Sequence, residues 1–256
     1  MLSVILWALG ISLAINGVMF LVAFWLKSDK LTDASYAVTF GVLAAMALAH
    51  SPRAVYAWIG GGLVWLWALR LGGFLLYRVM RAGRDRRFDG LREHFWQFGK
   101  FWLGQAITVW ILMLPVMLAL SAGGGQSVLV YLGAGVWLAG FLLESTADLQ
   151  KYRFTHNPAH KNQWIDTGVW RYSRHPNYFG EILVWVGLYL YAWPALSAGG
   201  RLIGLSSPLL ITVLLLFVSG IPLLEKAADQ RWGDNPRYMA YKNRTSLLIP
   251  WPPKKN

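Results

Sequence analysis

Long apolar runs, separated by short polar segments, dominate this chain. They cover roughly 2–26, 34–49, 54–77, 101–121, 127–149, 177–195 and 202–224. About 20 helical residues, rising 1.5 Å each, cross the ~30 Å hydrocarbon of a bilayer. Each run therefore predicts a spanning helix. The expected fold is all-α: a polytopic integral membrane protein with about seven transmembrane helices, as one domain over residues 1–256. The second run is short and opens beside Asp33, and the third carries Arg70 near its end. The first run has no basic stretch before it and no clear cleavage site, so it is read as a retained helix rather than a signal peptide.

The polar positions divide the inter-run segments into two kinds. Lys and Arg number 2, 8, 5 and 7 in one alternating set against 1, 0 and 1 in the other, a division of 22 to 2. Basic residues stay on the cytoplasmic side of a membrane. The alternation predicts an outside N-terminus and a cytoplasmic C-terminus, with the chain expected in a bacterial inner membrane.

Composition supports the pattern. Hydrophobic residues make up 56 % of the chain and charged residues 14 %, with a mean hydropathy of +0.41. A net charge of +12 invites a nucleic-acid reading. The basic residues lie between apolar runs, where anionic headgroups are the natural partner, so no nucleic acid is expected. There is no cysteine, which removes disulfides, thiolate metal sites and a catalytic thiol. No His pair has metal-binding spacing on a helix: His156 and His160 are four apart but Pro158 lies between them. No metal is expected.

Candidate chemistry gathers at the basic ends of the later runs. Glu144 and Asp148, Asn177 and Glu181, and Glu225 and Asp229 are each four apart, one helix face per pair. Helix-end solvation with loop arginines explains any one pair; three pairs at one level also fit a shared polar cavity. The segment 150–176 carries Lys151, Arg153, Lys161, Arg171 and Arg174 beside Trp164, Trp170 and Tyr172. Cations beside aromatic faces suit a ligand with phosphates and a flat ring, or membrane headgroups. Pro176 and Asn177 suit a helix start, where free N–H groups favour an anion.

The run 166–181, DTGVWRYSRHPNYFGE, with 241–250, YKNRTSLLIP, resembles the steroid 5α-reductase C-terminal-like membrane proteins, most closely their bacterial branch. Arg70-Leu71 and 83–88, GRDRRF, resemble that branch too. The likeness lies mainly in the C-terminal half, about 127–256. It implies an NADPH-dependent membrane reductase passing hydride to a carbonyl-conjugated C=C bond of a lipid- or steroid-like substrate, with the cofactor site facing the cytoplasm. It implies cofactor contacts from Arg84, Arg87, Asp148, Lys151, Arg153, Asn162, Arg174, His175, Asn177, Glu181, Tyr241 and Arg244. Asp33 and Arg70 stand as candidates to stabilise the developing oxyanion, with Tyr178 a further candidate donor. The steroid reductases' early Gln-Glu pair is missing here, which puts a steroid substrate in question. The element Arg-His-Pro-x-Tyr-x-Gly, at 174–180, is also similar to isoprenylcysteine methyltransferases, which use S-adenosylmethionine. That is the alternative reading. The partners expected under either are a lipophilic small molecule and membrane lipids.

Overall fold

The computed structural model describes residues 1–51, 54–82, 88–123 and 125–254. Nine α-helices are present among them: α1 (Leu2–Trp25), α2 (Lys30–Ala49), α3 (Ala54–Ala82), α4 (Phe95–Ser121), α5 (Val128–His156), α6 (Pro176–Ala192), α7 (Ala198–Val213), α8 (Ile221–Trp232) and α9 (Pro236–Arg244). No strand occurs among the described residues; a single parallel bridge joins Ser173 to Ser246. The protein is thus an all-helical membrane protein, with six helical stretches long and apolar enough to cross a bilayer. These are α1 to α5 and the composite of α7 with α8; α6, at 17 residues, is also apolar.

The chain forms two compact units, one of residues 1–133 and 188–207, the other of 134–187 and 208–256. In the first unit α1, α2, α3 and α4 pack on one another. The buried face of α1 is Ala8, Ser12, Asn16, Phe20 and Ala23, close to one residue per turn. Lipid solvates apolar side chains as well as a neighbouring helix does, so small and polar residues hold such helices together. Here the Ser12 hydroxyl donates to the Ala106 carbonyl of α4 (2.7 Å). Asn16 donates to Thr39 Oγ1 of α2 (3.2 Å) and accepts from Gln105 of α4 (2.9 Å). Gln105 also donates to Ser35 Oγ (2.7 Å) and to the Thr32 carbonyl (3.2 Å). Large apolar side chains point the other way, such as Trp7, Leu21 and Trp25.

In the second unit α5 and α6 cross at two glycines. A Cβ on Gly180 would lie 2.6 Å from the backbone nitrogen of Glu144, and one on Gly140 would lie 2.6 Å from the Gly180 carbonyl oxygen. Any side chain at either position would force the helices apart.

Helix ends depart from the hydrophobic runs for physical reasons. Helix α5 continues through Lys151 and Arg153 to His156, because a backbone that has left the hydrocarbon keeps its helical hydrogen bonds while long cationic side chains reach water. Helix α4 starts at Phe95, six residues before its run. The last run is broken: α7 passes into a π turn, Leu214–Val218, and stops at Ser219 and Gly220 before α8 restarts with Pro222 in its first turn.

Candidate functional site

In the second unit the C-terminal end of α5, the segment before α6, and α8 and α9 line a half-open cavity of about 290 Å³. It begins with a local fold that the sequence dictates. Gly168 has φ +60, and a side chain there would collide with Gln150. The Gln150 side chain instead accepts from the Val169 N–H (3.0 Å). This turns the chain into a short 3-10 helix, Gly168–Arg171, that lays Trp170 over α5, where its indole N–H donates to the Ala147 carbonyl (3.1 Å). The Trp170 carbonyl in turn accepts from the Tyr241 hydroxyl of α9 (2.9 Å).

The walls are aromatic. Trp164 meets Tyr238 edge to face at 5.3 Å and Trp232 at 6.1 Å, and Trp170, Tyr241 and Phe154 complete the lining. Lys151 lies over the Trp170 ring (4.8 Å) and Arg231 over the Trp232 ring (4.8 Å).

One carboxylate organises the polar side. Glu225 of α8 pairs with the Arg174 guanidinium, accepts from His175 Nε2 at 2.8 Å, and has the Lys242 ammonium at 3.6 Å. Lys242 also pairs with Asp229 (2.5 Å). Burial holds His175 below the ordinary imidazole value, with Lys151 and Arg174 adding to the effect and Glu225 opposing it. A neutral His175 that donates from Nε2 keeps Nδ1 as an acceptor. Burial likewise raises both tyrosines, Tyr238 to about 12 and Tyr241 further, so both remain protonated donors. His175 Nδ1, Arg174 Nε and Trp164 Nε1 are buried with no protein partner among the described residues. Buried polar atoms are almost always satisfied, so such a cluster marks where a ligand or water completes the bonding.

Lys151, Arg174, His175 and Tyr241, four of the residues expected from the sequence, line this cavity. Asn177 donates to Asp148 across α6 and α5 (3.2 Å), and Glu181 follows one turn along α6, partly buried. The Tyr178 ring stacks on His175 at 5.6 Å. Arg153 is exposed on the last turns of α5. Asn162, at φ 63, accepts from Arg231 through its side chain (2.8 Å) and from Trp232 through its carbonyl (2.9 Å), tying the loop to α8. Arg244 is exposed at the end of α9. Asp33, in the first turn of α2, and Arg70, on α3, are partly buried in the first unit. Arg84 and Arg87 lie outside the described residues. Glu225 and Trp232 are central to the cavity; Glu225 was expected only as half of the Glu225/Asp229 pair and not as a cofactor contact, and Trp232 was not expected. Glu225 is the first charged residue after the last apolar run, a signal that reads equally as ordinary helix-end solvation.

The sequence profile of one family, DUF1295, described as "Protein of unknown function (DUF1295)", matches residues 19–245. That family groups with steroid 5α-reductase-like and isoprenylcysteine methyltransferase-like membrane proteins. An uncharacterized protein of Schizosaccharomyces pombe is 24 % identical over 224 residues, covering 72 % of this chain and 60 % of that protein. Methanethiol S-methyltransferase 1 of Bradyrhizobium diazoefficiens is 35 % identical over 83 residues, 32 % of this chain and 25 % of that enzyme. The chain therefore spans less than two thirds of either relative. No solved structure matches it.

Proposed function

The chain belongs to the DUF1295 family, and we propose that it is a membrane methyltransferase that binds S-adenosylmethionine in the cavity around Glu225. The observation that carries this reading is a single carboxylate set among aromatic rings, beside buried polar atoms with bonding capacity left over. Aromatic faces around a carboxylate suit a cation such as a sulfonium or an ammonium. At about 290 Å³ the cavity is at the small end of ligand sites, roughly 300–1,000 Å³. That size suits one nucleoside with a short tail. The relative of known activity is named for methyl transfer to a thiol.

When bound, S-adenosylmethionine supplies an activated methyl group on a sulfonium sulfur. The chain's own residues have separable tasks. Trp164, Trp232 and Tyr238 offer ring faces to a flat base and to the cationic centre. Glu225 and His175 Nδ1 accept from an amine or from ribose hydroxyls. Lys151 and the remaining Arg174 N–H meet the amino-acid carboxylate. A bound sulfonium would lose its charge on methyl transfer, and the aromatic faces of Trp164, Trp232 and Tyr238 would leave that charge lightly solvated beforehand. The acceptor is a nucleophile of the thiol class, small or lipophilic, that reacts as its thiolate after giving its proton to water.

A second reading has one specific support. Asn177 and Asp148, both implied by the reductase resemblance, meet on adjoining helices. In that reading the chain is an NADPH-dependent reductase acting on a conjugated C=C bond. Calorimetric titration of the purified protein separates the two. S-adenosylmethionine and its demethylated product should bind and NADPH should not, with Glu225→Gln weakening the first. Binding of NADPH alone would replace the methyltransferase with the reductase.

A further inference from the structure

The stretch after α9 runs as a strap along the segment that precedes α6, and it is pinned at three points. The Arg174 N–H donates to the Ser246 carbonyl (2.8 Å), the Ser173 hydroxyl to the Leu248 carbonyl (2.7 Å), and the Trp251 N–H to the Tyr172 carbonyl (3.0 Å). Further on, the Lys254 N–H donates to the Arg244 carbonyl (3.0 Å). The other edge of the strap is apolar and open. Leu247, Ile249 and Trp251 are 39 %, 57 % and 70 % exposed. All three are exposed side chains on one short stretch, and a surface facing water normally carries polar residues.

The exposed charges on the strap and on its partner segment are basic. Residues 235–256 contain no Asp or Glu, and Arg244 and Lys254 are exposed. The partner segment 167–177 has no acid either and exposes Arg171. Exposed Trp and Ile beside basic residues are the composition that settles at headgroup level in a bilayer. Anionic lipids there attract each Lys or Arg.

We propose that the strap 247–254 is a lipid-surface anchor. Leu247, Ile249 and Trp251 enter the headgroup region, and Arg244 and Lys254 meet the phosphates of anionic phospholipids. The inner edge of the same strap holds the backbone of Arg174, whose guanidinium holds Glu225, so the anchor props the charged wall of the cavity. The anchor does not depend on which ligand the cavity takes.

The chain has no cysteine, so a single introduced one can carry the only spin label. Labels at Ile249, Trp251 and the exposed Asn243 are compared in the full chain, in nanodiscs of phosphatidylcholine with phosphatidylglycerol. The quantity read is the ratio of collisions with oxygen to collisions with a water-soluble nickel chelate. It should be about fivefold higher at 249 and 251 than at 243, and should drop by a similar factor in phosphatidylcholine alone or with Lys254→Ala. Equal ratios at the three sites would place the strap in water and overturn the anchor. Ratios indifferent to lipid charge would overturn the phosphate contacts. Hydrogen exchange reads the prop: Ile249→Asp with Trp251→Asp should speed exchange at the Arg174 amide while the α6 amides keep their protection. An unchanged Arg174 amide would overturn it, and Trp251→Ser alone keeps this arm open if the double variant does not accumulate.

Discussion

Two polar clusters in this protein, one in each compact unit, show how differently polarity can be used. The first joins Ser12, Asn16, Thr32, Ser35, Thr39 and Gln105 between α1, α2 and α4. Its members are neutral, and each hydroxyl and amide N–H in it finds an acceptor. The second joins Arg174, His175, Glu225, Lys242 and Asp229. It is charged, borders a cavity, and leaves two buried polar atoms, Arg174 Nε and His175 Nδ1, with no protein partner among the described residues. Neutral and satisfied groups act as glue between helices; charged groups with spare bonding beside a void are what a ligand needs. Burial of polarity alone does not separate the two cases.

The comparison is most exposed at Glu225. Removing it strands Arg174, His175 and Lys242 together, and breaking a buried pair from one side costs about 3–5 kcal/mol, less here because Glu225 is 18 % exposed. Glu225→Ala should weaken S-adenosylmethionine binding by more than about 100-fold, or about 2.7 kcal/mol, as read by calorimetry. A smaller expected effect falls on the helix crossing. Gly180→Val overpacks the contact with Glu144 and Gly140 and should lower stability by about 1–3 kcal/mol, seen as an earlier thermal transition in detergent. The neutral cluster should respond more weakly still. Asn16→Leu removes bonds to Ser12, Thr39 and Gln105 and should cost about 0.6–2 kcal/mol of stability, with ligand affinity unchanged. Loss of affinity in that variant would move the first cluster from glue to site.

The smallest expected effect is pH dependence. His175 titrates below its ordinary value in the folded chain, so the unfolded chain takes up the proton first as pH falls. Stability is present above the unfolded value of about 6.5 and declines below it. The thermal midpoint should fall between neutral and mildly acidic pH, and His175→Gln should flatten that slope.

Much of the fold was legible because lipid imposes length and apolarity on whatever crosses it. The runs foretold α1, α2 and α3 to within a few residues. The break between α7 and α8 was not legible, since Leu214–Val218 is as apolar as the helix before it and only Gly220 and Pro222 hint at a stop. Within the site, the aromatic and basic character of 150–176 was visible, as was the start of α6 at Pro176. The partner of Arg174 was not, because Glu225 lies 51 residues away and a pairing of that range leaves no periodic trace. The sequence also could not show that Trp232 of α8 reaches back to the carbonyl of Asn162.

Helix α5 has 29 residues, about 44 Å of rod, against a hydrocarbon slab of about 30 Å. It has no glycine after Gly140 and no proline anywhere, so nothing in its composition breaks the helix between Gly140 and His156. Lys151 and Phe154, at the tip of this mast, form part of the cavity wall. A rod that leans to match a thinner or thicker slab swings its free end sideways. Ligand affinity should therefore change between bilayers of short-chain and long-chain lipids, which titration in the two would read.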